Sequence, residues 1–166
     1  MNVLMTGGNS KFGAVLAEEM LERGWNVERI HRAWLDNIGN YNFKDEYDVV
    51  FFNHNRPVIN FQLDTVSVQI LKRIDVKRVG WMITNAALYP EQFEAPNPQF
   101  WSYVAQKMLY INQMKYFQNS YSTFCFDPGI ITDDNKYSIA IELMNAFVEP
   151  TMKIYKSVSG SGLYGS

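Results

Sequence analysis

The sequence predicts a single α/β domain with a mainly parallel sheet and helices on both faces. Three observations carry this. A short apolar run, Asn2-Val3-Leu4-Met5-Thr6, leads through a glycine-bearing turn into an amphipathic stretch. Continuous apolar runs of strand length recur at 47–52, 78–87 and 122–126, with segments of helical period between them. Apolar runs without alternation are the mark of strands covered on both faces, as in parallel sheets.

The first unit is the most informative. Residues 2–6 form a strand, Gly7, Gly8, Asn9, Ser10, Lys11, Phe12 and Gly13 a turn, and 14–23 an amphipathic helix closed by Gly24. Residues 25–30 read as the next strand. The N-terminus of such a helix offers free backbone N–H groups and a positive dipole end, which suits a pyrophosphate. Glycines let the backbone approach the phosphates without a Cβ in the way. Segment 31–46 is polar and irregular, with no convincing helix. Arg32 stands just past the second strand, where an arginine accommodates the 2′-phosphate of NADP and an acidic residue would hold the 2′-hydroxyl of NAD. Lys11 adds positive charge nearby.

Strand 47–52 ends in Asn53-His54-Asn55, at the carboxyl edge where ligands bind in such sheets. Asn53 is placed to bond the ligand or to pin the neighbouring turn. His54, with no sequence partner, reads as a loop residue. Residues 61–74 have the apolar spacing of a helix, followed by the strand 78–87, which carries Thr84. Asn97-Pro98 is a helix start, cap then proline. That helix runs to about residue 119 and holds Tyr103 and Lys107 one turn apart, on one face. An ammonium near a phenol lowers the phenol's pKa, and a tyrosine tuned in this way passes protons to or from a carbonyl or alcohol oxygen. Strand 122–126 is broken by Pro128-Gly129, after which Ile130-Ile131-Thr132 continues beside the expected ligand. Residues 137–147 supply one more helix and 152–158 a last strand, and 157–166 looks loose.

Composition narrows the classes. The chain has 166 residues, 47% of them apolar and 15% aromatic, enough for a core and against disorder. A net charge of −2 gives no general attraction to nucleic acid or acidic membranes. The single cysteine, Cys125, excludes an internal disulfide and a cysteine zinc site, and its apolar surroundings suggest a core residue. No metal site is expected. Without a visible signal peptide or membrane span, the expectation is a soluble cytoplasmic protein.

The order Thr6-Gly7, Gly13, a strand ending at Asn53, a strand reaching Thr84, Tyr103-x-x-x-Lys107, then Pro128-Gly129-x-x-Thr132 resembles the short-chain dehydrogenase/reductase family over nearly the whole chain. The resemblance implies a Rossmann fold and an NAD(P)(H) cofactor. It implies that Tyr103 is the proton donor, that Lys107 binds the nicotinamide ribose, and that Thr84 supplies the hydroxyl orienting the substrate oxygen. Pro128, Gly129 and Thr132 then line the nicotinamide end. Several features depart from the family pattern. Lys11 replaces the turn's middle glycine, Thr84 or Asn85 takes the place of the usual serine, only the threonine offering a hydroxyl, and a strand–helix pair is trimmed after Arg32. The substrate insertion after Thr132 is nearly absent. The leading expectation is an oxidoreductase, NADP(H) preferred and NAD(H) possible, moving hydride to or from a carbonyl or alcohol. The alternatives are a dinucleotide-binding redox sensor and a sugar-nucleotide-modifying enzyme. The expected partners are a small-molecule substrate and further copies of the chain in a homodimer or homotetramer. The helices 61–74 and 98–119 carry apolar residues on more than one face, including Trp101, Tyr110, Met114 and Phe117, which points to pairing.

Overall fold

A computed structural model of the chain describes residues 1–55, 65–94 and 97–161. Six strands form one wholly parallel sheet: β1 (Asn2–Thr6), β2 (Asn26–Ile30), β3 (Glu46–Phe52), β4 (Asp75–Met82), β5 (Ser122–Asp127) and β6 (Lys153–Lys156), in the order β2-β1-β3-β4-β5-β6. The order reverses between β1 and β3, so a crevice opens there at the carboxyl edge. Strands β1, β3, β4 and β5 are buried almost throughout, which is why their sequences run apolar without alternation.

Two cores flank the sheet. On one face Val3, Met5, Val49, Phe51, Phe124 and Phe126 pack under α1 (Lys11–Glu22) and α6 (Lys136–Val148). On the other, Leu4, Val50, Phe52, Val79, Trp81 and Cys125 pack under α3 (Val66–Leu71) and α5 (Pro98–Phe117). The two residue sets alternate along each strand, as a pleat with period two requires.

Several boundaries differ from expectation. Helix α1 begins at Lys11 rather than residue 14, because Ser10 caps it by accepting from Gly13 N at 3.0 Å. Strand β4 stops at Met82, not at 87: the chain turns at Thr84 into the single helical turn α4 (Asn85–Leu88), which buries Ala86 and Ala87. The expected helix over 61–74 is described only as Val66–Leu71, and Phe61 and Leu63 lie outside the described residues. Ser157 is not loose: its N–H donates to Asp127 O at 2.9 Å, and Val158–Ser161 form a last turn, α7. Residues 162–166 lie outside the described residues.

Segment 31–46 is not featureless. It holds one helical turn, α2 (Arg32–Leu35), and a 3-10 turn, Ile38–Asn40, whose Leu35 and Ile38 reach the core. Arg73 binds this segment by donating to the carbonyls of Ile38, Gly39 and Tyr41 at 2.9, 3.0 and 3.0 Å. Beyond β2, no further strand is present among the described residues, in keeping with the trimmed strand–helix pair.

On α5, Tyr110 and Met114 face the sheet and are buried, which corrects their reading as interface residues. Trp101, Met108 and Tyr116 form the exposed stripe instead, at 39%, 43% and 77% exposure.

Gly80 shows how tightly the sheet is covered. It is the register partner of Phe124, and a Cβ built on it falls on the Phe124 ring, 2.7 Å from Cε2. The ring lies against bare backbone and is covered from above by the Arg78 guanidinium, 4.4 Å from its centroid. Gly80→Ala is therefore expected to overpack the core and cost about 1–3 kcal/mol. In a domain of this size that lowers the melting temperature by roughly 2–4 °C per kcal/mol, measurable by circular dichroism.

Candidate functional site

The crevice between β1 and β3 is built on one hydroxyl. Thr6, at the end of β1, is fully buried. Its Oγ1 accepts from Asn53 N at 3.0 Å and His54 N at 3.2 Å, and lies 2.7 Å from His54 Nδ1. A hydroxyl has two lone pairs and one proton. With both lone pairs engaged by backbone N–H groups, the hydroxyl proton points to Nδ1. The Thr6 side chain has no capacity left for a cofactor, and His54 stands in the loop after β3 as expected, where it is buried and partnered.

This knot brings the glycine turn against β3. Gly7 has φ +67° and sits so close to the Asn53 carbonyl that a Cβ would collide with it. Gly13 touches the turn itself, its built Cβ 2.9 Å from Gly8 Cα. Gly8 is required by Arg29, whose Cδ would lie 2.7 Å from a Cβ there and whose Nη1 donates to Gly8 O at 3.4 Å. Asn53 Nδ2 pins the turn through Gly7 O and Ser10 Oγ, both at 3.5 Å. Phe12 buries its ring in the core, so only its backbone faces the crevice. As first-turn residues, Lys11 and Phe12 present N–H groups with no carbonyl one turn earlier.

Two cavities flank this helix start and share Ser10. One, about 330 Å³, is lined by Gly7, Asn9, Ile30, Arg32 and Asn53 among others. The second, about 800 Å³, is lined by Lys11, Phe12, Ile131, Thr132 and Lys136 among others. Arg32 thus borders the first cavity as expected, while Lys11 borders the second and stands apart from Arg32. Asn9 lines the first cavity as expected, and its Nδ2 donates to Nδ1 of His31, a residue that sequence reading did not single out. An elongated molecule with an anionic waist fits this arrangement, its waist on the helix N-terminus and an end in each cavity.

The second half of the site lies at the ends of β4 and β5. Tyr103 and Lys107 do come together on α5. Lys107 is 3% exposed, its Nζ 5.4 Å from the Tyr103 ring centroid and 5.0 Å from that of Tyr110, within cation–π range. Thr84, the N-cap residue of α4, makes no capping bond; its side chain bonds the Tyr103 hydroxyl instead. The expected depression of the Tyr103 pKa is not found. Burial pushes it up, the Asp127 carboxylate adds to that, and the Thr84 bond pulls weakly the other way. Asp127, missed in the sequence, is 3% exposed at the end of β5 and accepts from Gly129 N at 3.1 Å. Its signal was an acid closing an otherwise apolar strand.

The loop after β5 is clamped from behind. Gly129 has φ +69° and packs on Gly160, whose own Cβ would run into Pro128 O. Pro128 and Gly129 therefore shape the loop rather than line the cavity, which Ile131 and Thr132 do. Asn135 accepts from Thr132 N at 2.7 Å and donates to Ile130 O at 2.9 Å, fixing that segment.

The folded phenol of Tyr103 holds its proton more tightly than a free one, so it ionises above the ordinary tyrosine range. A difference titration at 295 nm, wild type minus Tyr103→Phe, is expected to show one phenol titrating above the ordinary range. Titration at or below the range of an ordinary tyrosine contradicts the structure.

No family profile and no curated protein matches the sequence. Solved structures do match in fold. The 3-alpha-hydroxysteroid dehydrogenase from Pseudomonas sp. B-0831, complexed with NADH, aligns over 94% of this chain and 95% of its own at 13% identity, TM-score 0.65. A small-chain dehydrogenase in complex with NADPH aligns over 98% and 99% at 10% identity, TM-score 0.65. The UDP-glucose 4-epimerase of Thermus thermophilus, in complex with NAD, aligns over 94% and 77% at 15% identity, TM-score 0.63. The parallel sheet, its switch point and these alignments together give the chain the Rossmann-type fold of the short-chain dehydrogenases.

Proposed function

We propose that the chain is an NAD(P)(H)-dependent oxidoreductase of the short-chain dehydrogenase/reductase family, acting on a carbonyl or alcohol, with NADP(H) preferred. The observation that carries this reading is the convergence of Thr84, Tyr103, Lys107 and Asp127 at the carboxyl edge of the same sheet whose switch point bears the glycine turn. The dinucleotide complexes of structures sharing this fold support the cofactor class.

The residues fit such a cofactor. The Gly7–Asn53 and Gly13–Gly7 contacts leave no room for a side chain at either glycine, and the N–H groups of Lys11 and Phe12 would hold a pyrophosphate at the helix start. Arg32 borders the cavity on the adenosine side and offers a cation for a 2′-phosphate. Lys11 borders the opposite cavity and adds positive charge there, while Lys136 on the same cavity is paired with Asp133 at 3.4 Å.

When bound, the nicotinamide supplies or accepts the hydride. The chain's own residues handle the proton. In the reducing direction Tyr103, kept protonated by its burial, donates to the developing alkoxide. Thr84 holds the phenol and completes the oxygen's hydrogen bonding. Lys107 places a positive charge under the Tyr103 ring, where it stabilises the phenolate left after donation. The enzyme is proposed to be cytoplasmic, to act on a small molecule and to work as a homodimer or homotetramer, copies meeting on the Trp101, Met108 and Tyr116 stripe.

Fluorescence titration is expected to show tighter binding of NADPH than of NADH. Arg32→Asp should reverse the order, since the aspartate repels a 2′-phosphate and accepts from a 2′-hydroxyl. Tighter NADH binding by the wild type defeats the NADP assignment.

A panel of aldehydes and ketones with NADPH then tests turnover. Tyr103→Phe removes one oxygen and keeps the ring, so cofactor affinity should hold while kcat falls by about 10²–10⁴-fold. Turnover at the wild-type rate in that variant excludes the proton-donor role. NADPH binding without turnover of any compound favours a sensor.

A further inference from the structure

One side chain of the first cavity is bonded to an imidazole. Asn9 lines that cavity, and so do Ile30 and Arg32, the residues on either side of His31. His31 is the N-cap residue of α2, yet its side chain makes no capping bond. The ring turns to the glycine turn instead, where Nδ1 accepts from Asn9 Nδ2. Its backbone is fixed separately, His31 O accepting from Trp34 N at 2.9 Å. Both His31 and Asn9 are exposed.

An amide carries an acceptor on one side and donors on the other, and an imidazole Nδ1 accepts when bare and donates when protonated. The Asn9–His31 bond therefore has two forms. With a neutral imidazole, Asn9 Nδ2 donates to Nδ1 and Oδ1 is left as an acceptor for a ligand. With an imidazolium, Nδ1 donates to Oδ1, the amide turns over, and Nδ2 is left as a donor. An acceptor suits a hydroxyl; a donor beside a positive charge suits a phosphate. The structure holds the first form. The charged and titratable groups on the surrounding elements are few. On β2, Glu28 is engaged by Tyr41 and Tyr47, and Arg29 by Gly8 O. The segment after it carries Arg32 and Asp36, the start of α1 carries Lys11, and the end of β3 carries His54.

We infer that the Asn9–His31 pair tunes how strongly this cavity prefers a 2′-phosphorylated adenosine to one with a free 2′-hydroxyl. Asn9 is the contact, and His31 is the positioning residue that sets which end of the amide the ligand meets. The inference rests on the NAD(P)(H) reading above, which puts the adenosine half of the cofactor in this cavity. Arg32 supplies a charge that does not titrate in the physiological range. The pair adds a part that does, since imidazole is the side chain that exchanges its proton there. Binding of the 2′-phosphate favours the imidazolium, the proton coming from solvent, so the preference for the phosphate weakens as pH rises.

The test uses two fragments that differ only at the 2′ position, adenosine 2′,5′-bisphosphate and adenosine 5′-monophosphate. Both are titrated calorimetrically into the full chain at about pH 6 and about pH 8. The 2′-phosphate itself gains a proton toward the lower pH, and dividing the wild-type preference for the bisphosphate by that of His31→Gln removes this effect. The quotient is expected to be at least about fivefold larger at the lower pH, the gain from a neutral to a charge-assisted contact. Asn9→Ala leaves His31 no amide to turn, and its quotient is expected to be flat. Circular dichroism checks that the variants fold, and His31→Asn replaces a His31→Gln that does not. A flat wild-type quotient, one that rises with pH, or the same dependence in Asn9→Ala overturns the inference, as does failure of both fragments to bind. Turnover with NADPH beside a flat quotient leaves the oxidoreductase reading standing and removes this one. The expected quotient without turnover of any carbonyl compound defeats the oxidoreductase reading and leaves the Asn9–His31 assignment in place.

Discussion

The Thr6 hydroxyl ties the end of β1 to the end of β3, and the geometry of the crevice follows from it. Its three bonds draw the Asn53–His54 backbone inward until Gly7 lies against the Asn53 carbonyl. At that distance only a residue without Cβ fits, and only one tolerant of φ +67° can start the turn. The turn in turn sets where α1 begins and where its free N–H groups point. The knot also reaches the other half of the site: Tyr110 on α5 donates to His54 O at 3.1 Å, and Gln106 donates to Tyr110 at 3.1 Å. The helix bearing Tyr103 and Lys107 is thereby bonded to the strand end that shapes the phosphate turn.

Burying Lys107 is the costliest feature of the site. An ammonium 3% exposed loses most of its hydration, and such a charge persists only where something replaces the water. Two ring faces, those of Tyr103 and Tyr110, supply part of the replacement. Its field reaches Cys125, where it opposes a strong upward shift caused by burial. The Asp127 carboxylate raises the Tyr103 pKa, so the phenol's proton affinity reflects burial and a nearby anion more than the lysine beside it. A neutral phenol is the form a proton donor needs.

The small size of the domain is handled at two places. Beyond β2, where a longer dinucleotide fold continues its sheet, a short segment is fastened by Arg73 bonding three backbone carbonyls and lying 4.9 Å over the Phe43 ring. Beyond β5, the loop is braced by α7. Gly129 meets Gly160, and Ser159 donates to Glu142 Oε1 through N at 3.0 Å and Oγ at 2.6 Å. Both devices spend polar bonds where a larger protein has room for further hydrophobic layers.

The layered α/β fold, the glycine turn, the long helix after Asn97-Pro98 and the one-turn spacing of Tyr103 and Lys107 were all legible in the sequence, because each rests on local chemistry. Apolar runs without alternation mark buried strands, a cap followed by proline starts a helix, and a spacing of four puts two side chains on one face. What depended on contacts between distant segments was not legible. The inward direction of Tyr110 and Met114, the Thr6–His54 bond across 48 positions, the pairing of Asp127 with Lys156 across the sheet and the reach of Lys156 to Tyr89 exist only once the strands have a register. The Tyr103 pKa belongs to the same class. Its neighbour Lys107 is visible from spacing, whereas the burial and the Asp127 carboxylate that raise the pKa come from groups distant in sequence. Sequence spacing specifies which groups can meet along one element; desolvation and the charges facing a group are set by what packs over it, and that is a property of the tertiary structure.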